Sequence, residues 1–256
     1  MLSNMSALSN ADVKVSMEAG VGNNQRFINI SKLYETLGPK LSAALPAFHA
    51  LTGCDYNPSF FKKGKSRPYK ILQNSERFID NFIKLSNAPD DELQNTFDII
   101  EEYVCRMYGF KKINKVNEAR VATFLKTYKV LQNDDIFRLP KNNIDGSALP
   151  PCKIELHQHL LRTTYIANIW AHAHLQVPTA LHPTDFGWEE DEGKFNFKWF
   201  EGDQLPATLG DITIDDGDDQ KSTEDYDKDL SRVDIAVSDN DSDNEYDGDE
   251  SEESEI

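Results

Sequence analysis

The last 42 residues constrain everything before them. Residues 215–256 carry 19 Asp and Glu against Lys221, Lys228 and Arg232, a net charge of −16. A segment with so little apolar surface cannot offset the entropy lost on ordering, so a disordered acidic tail is expected there. The fold must then be built by residues 1–214, which hold 25 acidic and 24 basic groups. The overall charge of −17 therefore describes the tail. A balanced body leaves nucleic acid open as a partner.

The first residues, MLSNMSALSNAD, lack the basic start and apolar core of a secretory signal. No run of about 18 apolar residues occurs, so no membrane partner is expected. Cys54, Cys105 and Cys152 are odd in number and widely spaced, with no Cys-x-x-Cys pair. That pattern suits buried, reduced thiols in a cytosolic or nuclear protein.

Residues 12–18 alternate apolar and polar side chains, and 27–30 (FINI) can return as a second strand after a Gly/Asn turn. Ser31 is a candidate N-cap for a helix that Gly38-Pro39 stops. Leu41, Ala44, Leu45, Phe48 and Leu51 predict a helix over 40–51 that Pro46 kinks or splits. Helical spacing also covers 59–72 and 75–85. A further helix starts at Pro89-Asp90-Asp91 and runs through Phe97, Ile100, Val104 and Met107. Asn117 can cap a helix that presents Val121, Phe124, Leu125 and Tyr128. Residues 132–150 read as a loop, and 153–175 as the longest helix. Trp188 and FNFKW, around a polar turn at Glu189–Gly193, suggest a β-hairpin. The fold class is thus mainly α with a small β component.

The chemically informative stretch is GCDYNPSFFKKGKSRPYKIL, residues 53–72. Asp55 follows an apolar helix. Lys62, Lys63, Lys65, Arg67 and Lys70 then surround Gly64. Five cations in nine residues, with a glycine and a helix start among them, make a phosphate-sized electropositive site. The same pattern also fits a solvated basic loop, and Asp55 also fits a helix cap.

This stretch resembles flap endonuclease and XPG-type 5′ nucleases of the PIN-like fold. Gly53, Asp55 and Tyr56 match their Gly-x-Asp-Tyr block. Gly64 matches the second turn glycine of their helix–two-turn–helix element, and Arg67, Ile71 and Leu72 its basic residue and helix core. Lys62 stands where that family has the first turn glycine. Blocks such as EAGVGNNQRFINI, LPAFHALTGCDYNPSFFKKGK, LPPCKIELHQHLLRTTY and FGWEEDEGKFNFKWF extend a resemblance over most of the chain. They are similar to a group of uncharacterised animal proteins related to these nucleases, with a mobile-element origin implied for many.

The resemblance implies three parts. Residues 1–130 would be the helical C-terminal part of a PIN-like α/β nuclease fold, with a helix–two-turn–helix-like element. Residues 131–214 would be a helical and β-hairpin extension, and 215–256 the tail. The family's closely spaced aspartates would precede residue 1. Asp55 would be one metal ligand, for Mg²⁺. One carboxylate cannot hold the two metals of such a site. Asp12 and Glu18 do not form the family's Asp-x-Asp arrangement. The expectation is a nuclease-derived DNA-binding domain, catalytically incomplete in this chain, whose cations contact the DNA backbone weakly. Whether it acts as an enzyme stays open. A nuclear location is favoured over a cytoplasmic one.

His157 and His159 are two residues apart, as are His172 and His174, so neither pair shares a helix face. His49 reads as a core residue, and packing outweighs base stacking for Trp170, Trp188 and Trp199. Ser238 and Ser242 each precede an acidic residue at the third position and suit an acidophilic kinase. The competing expectation is a helical protein-interaction module whose acidic tail binds basic proteins.

Overall fold

A tight hairpin leads into the central helix. In the computed structural model, which describes residues 2–9, 12–87, 93–127 and 146–202, a short helix α1 (Met5–Ser9) precedes β1 (Ser16–Ala19) and β2 (Arg26–Asn29). These strands pair antiparallel, Ser16 with Asn29 and Ala19 with Arg26. The tail with Ser238 and Ser242, most of the 132–150 loop, Tyr128 and the Pro89-Asp90-Asp91 helix start lie outside the described residues.

Helix α2 spans Ile30–Leu51. Asn29, not Ser31, is its N-cap: the Asn29 side chain accepts from Lys32 N at 2.8 Å. The Ser31 hydroxyl instead accepts from Val15 N (2.9 Å) and ties α2 to the chain before β1. Gly38 (φ 77°, ψ 166°) breaks the helical path, as the Gly38-Pro39 pair predicts. Pro46 does not split α2, which remains helical through it to Leu51. The expected helix over 59–72 is shorter. Residues 59–65 form an irregular turn, with Lys62 at φ 51°, and only Ser66–Gln73 (α3) is helical.

Helices α4 (Glu76–Ser86) and α5 (Leu93–Met107) follow their sequence patterns. The Ser75 hydroxyl caps α4. Helix α6 (Val116–Thr127) departs from its pattern. Val116 and Ala119 are buried against α5, while Val121 and Leu125 are about half exposed. Buried Glu101 sets this orientation, accepting from Val116 N (3.0 Å) and pairing with Lys115 (3.0 Å). Asn117 is not the cap of α6. Its Oδ1 accepts from Lys153 N (2.9 Å) at the start of α7.

Helix α7 (Lys153–Ala171) lies in the same core as α2 and α4. Leu41, Ala44, Phe48 and Leu51 of α2 share that core with Phe82 of α4, Tyr103 of α5, and Leu156 and Leu160 of α7. Strands β3 (Trp188–Asp191) and β4 (Lys194–Phe197) pair antiparallel around Glu192 and Gly193, both at positive φ. Trp188 buries with Ala50, Ile166 and Phe186 in a second cluster. No helix of the described residues is long and apolar enough to cross a membrane.

A buried polar knot joins these parts. The Asn57 amide donates to Ala50 O (3.1 Å), His159 O (3.3 Å) and the Thr163 hydroxyl (3.1 Å). Its Oδ1 accepts from Arg162 Nε at 3.1 Å. Arg162, only 1% exposed, also donates to Gly187 O (3.1 Å) and Lys198 O (2.8 Å) and lies against the Phe197 and Trp199 rings. His159 Nε2 sits 2.8 Å from Leu51 O, so the neutral ring carries its proton there and donates.

Burial pushes the His159 pKa down to about 4 from an ordinary 6.5. The unfolded chain therefore takes up this proton at a higher pH than the folded one. The His159 contribution to stability is complete above about pH 6.5, and it falls by roughly 3 kcal/mol as pH drops toward 4. Urea titrations across that window should show the loss in the parent and a shallower one in His159→Gln. Equal slopes would place the proton uptake elsewhere.

Candidate nucleic-acid interface

The segment 53–72 is shaped by one glycine and one asparagine. Gly53 has φ 110°, and a Cβ there would meet the Ser59 Cβ at 2.6 Å. Only glycine allows that approach. Cys54 and Asn57 then bridge through paired backbone hydrogen bonds (2.8 and 3.3 Å), leaving Asp55 and Tyr56 exposed at the tip. Asn57 turns inward to the knot, so the tip is held against α7.

The five cations do not act alike. The Lys65 ammonium folds back onto the C-terminus of α2. It donates to Gly53 O (2.6 Å), the Thr52 hydroxyl (3.2 Å), His49 O (3.3 Å) and His49 Nδ1 (2.6 Å). Three protons serve four acceptors at the negative end of a helix dipole. Burial lowers the Lys65 pKa. Burial and the adjoining Lys65 charge lower that of His49, which fits a neutral imidazole accepting from an ammonium. His49 is therefore not a core residue. It is exposed and stacks on Trp170, ring centroids 5.3 Å apart.

The left-handed residue of the basic turn is Lys62, while Gly64 has open space around it. Position 62 thus has the backbone conformation that a turn glycine would serve. The Lys62 ammonium lies 5.0 Å from the Phe61 ring, and that of Lys63 lies 4.6 Å above Tyr108. Lys62, Arg67 and Lys70 are exposed. Lys65 provides no side-chain cap at the start of α3, and Pro68 has no N–H.

A second segment joins this surface. Arg67 reaches Gly109, where a Cβ would lie 3.3 Å from its guanidinium, and Lys63 covers Tyr108. The turn carrying Lys111 and Lys112 is therefore beside the basic loop. Neither 56–75 nor 103–117 contains an Asp or Glu. Sequence reading missed Lys111 and Lys112, although their acid-free run was visible.

Other sequence candidates are scattered. Asp55 is exposed at its tip, and among the described residues no three His, Cys, Asp or Glu side chains gather as a metal site. Asp12 and Glu18 are exposed in and before the first hairpin. His157 packs against Phe97 while His159 enters the knot, so the two diverge as their spacing predicts. A cavity of about 290 Å³ opens between Phe60, Phe61, Tyr108, Arg120 and Trp199, next to the basic loop. No family model, curated protein or solved structure matches the chain.

Lys65 should therefore separate from its neighbours in a stability assay. Lys65→Ala removes charged hydrogen bonds at a helix end and should cost about 1–2 kcal/mol. Lys62→Ala and Lys70→Ala should stay within about 0.5 kcal/mol of the parent. Chemical denaturation of the three variants checks this, and a neutral Lys65→Ala would show that the cap contributes nothing.

Proposed function

We propose that the chain is a nuclease-derived DNA-binding domain that holds the phosphate backbone of duplex DNA without reading its bases. One observation carries the reading: two acid-free segments, 56–75 and 103–117, lie side by side through Lys63–Tyr108 and Arg67–Gly109. Lys62, Lys63, Arg67, Lys70, Lys111 and Lys112 form the phosphate-facing set, beside the uncapped start of α3. Lys65 shapes the turn from behind. Gly64 leaves room for a phosphate to approach. Mg²⁺ belongs to this reading only through Asp55, which alone offers too few oxygen ligands, so the proposal is one of binding and not cleavage. With DNA as the ligand, this reading favours a nuclear over a cytoplasmic location.

A protein-interaction role is the second reading. It is favoured by one groove that Tyr56, Tyr165, Trp170, Trp188 and Phe195 line together.

Binding of this kind is dominated by counterion release. Lys62→Glu combined with Lys111→Glu should weaken duplex binding and reduce the salt slope by about one unit for each phosphate that is no longer neutralised. Fluorescence anisotropy on a labelled duplex across a salt series measures both. Unchanged affinity and slope would remove this surface as the DNA site.

The acidic tail is a tethered competitor for the same cations. Its effective concentration is on the order of millimolar, and screening at about 8 Å in physiological salt limits it to close encounters. Deleting residues 215–256 should tighten DNA binding at low salt, with the gain shrinking as salt rises. Phosphates on Ser238 and Ser242 should act in the opposite direction to the deletion. Equal low-salt affinities of full chain and truncation would exclude autoinhibition by the tail.

A further inference from the structure

A groove of about 460 Å³ lies between the loop tip, α7 and the second hairpin. Its walls are the rings of Tyr56, Tyr165, Trp170, Trp188 and Phe195, with Pro183 closing one side. Tyr165 and Trp188 stand steeply inclined, centroids 5.1 Å apart at 64°. Trp170 is backed by His49, which Lys65 holds in place. Tyr56 (62% exposed) and Phe195 (48%) are open to solvent, whereas Trp188 (9%) forms the floor. Trp188, Tyr165 and Trp170 also belong to the second core cluster, whereas Tyr56 and Phe195 stand outside it and exposed.

Three carboxylates neighbour residues of this recess along the chain or across the hairpin. Glu190 pairs directly with Phe195 across the β3–β4 ladder, so their side chains share one face. Asp55 precedes Tyr56 at the tip, and Asp185 follows Pro183 two residues on. All three carboxylates are exposed. Lys65 is bonded to neutral acceptors at the end of α2, behind the His49 ring, and Lys194 is the ladder partner of Asp191 on the face of the hairpin away from Glu190. His182 lies 6.1 Å from the Phe195 ring and bonds the Thr184 hydroxyl.

These features discriminate between ligands. Phosphate is repelled by the rim, which disfavours a nucleotide. A bare ammonium would lose hydration against apolar walls that offer its N–H groups few acceptors. A quaternary nitrogen carries its charge on methyl groups, needs no hydrogen-bond acceptor, and is attracted by both ring faces and carboxylates.

We propose that the groove is an aromatic cage for a methylated ammonium group, presented by a lysine side chain of a basic peptide. Tyr56, Trp170, Trp188 and Phe195 would face the methyl groups. Glu190 and Asp55 would supply the long-range attraction and select a cationic partner. None of the cage residues belongs to the phosphate-facing set, so the site is tested without reference to DNA.

The test uses the full chain and one lysine-containing basic peptide in three forms: unmodified, trimethylated, and with a neutral tert-butyl isostere of the trimethylated group. Tryptophan fluorescence and calorimetry report binding. The trimethylated form should bind about tenfold tighter than either other form, as a cation–π gain of about 1.4 kcal/mol gives. Phe195→Ala and Tyr56→Ala should each lose most of that preference with unchanged melting temperature, since both side chains are exposed. Glu190→Gln should weaken the trimethylated peptide severalfold and leave the isostere unaffected. Equal binding of all three peptides overturns the proposal, as does a preference that survives in both Phe195→Ala and Tyr56→Ala. An isostere as tight as the cation shows a merely apolar groove and also overturns it. So does tighter binding of an oligothymidine or a proline-rich peptide at the same residues.

Discussion

The Arg162 guanidinium is the charge around which this structure is arranged. It is 1% exposed, and burial pulls its pKa down to about 10, which still leaves it charged at neutral pH. A buried charge is tolerated only when its donors are satisfied. Here the acceptors come from three separate places: Asn57 Oδ1, Gly187 O and Lys198 O. None of these backbone segments is a regular extension of α7. Each must come to Arg162, and in doing so each is fixed. Gly187 is at φ 82°, and a Cβ there would approach Gln158 O at 2.7 Å, so the chain passes α7 as closely as glycine permits. The loop tip and the second hairpin are thus held by one side chain.

From that joint the two candidate surfaces follow. Asn57 faces inward, so the neighbouring Tyr56 and Asp55 face out, toward the groove. Phe60 packs on His159 (5.0 Å) and sends the chain toward Tyr108, where Lys63 and Arg67 meet the α5–α6 turn. Lys65 links the two sides. Its ammonium closes the end of α2, and the His49 ring it holds supports Trp170. The connection between α2 and α3, residues 52–65, therefore serves a cationic face on one flank and an aromatic recess on the other.

Much of the fold was legible because its helices carry strong apolar stripes. Phe78, Ile79, Phe82 and Leu85 all bury in α4, and Gly38-Pro39 breaks α2 where the dipeptide predicts. The hairpin over 188–197 was readable from alternation and a polar turn. The failures have one cause: residues whose partners are far away in sequence. Apolar spacing over 59–65 resembles a helix, but Asn57 and Phe60 are committed to α7 and the chain cannot wind. Val121 and Leu125 repeat at helical spacing, yet Glu101 turns the other face of α6 inward. In the site, charge counting grouped five cations. It could not show that Lys65 is committed to acceptors 12 to 16 residues back, nor that Lys111 and Lys112 would come alongside.

The two faces have opposite electrostatic character, and a tether of one sign must treat them differently. A tail of net −16 is attracted to the face of Lys62, Arg67 and Lys111, and repelled by the rim of Glu190, Asp55 and Asp185. Screening confines both effects to about 8 Å. In the proposed reading the tail therefore competes for the cationic face while leaving the aromatic recess open. A basic peptide seated in that recess would in turn offer the tail a second cationic surface. Drawing the tail away from the basic loop, it would free that loop for DNA, so the two ligands would assist each other through mass action on a shared tether and without any change in the folded body.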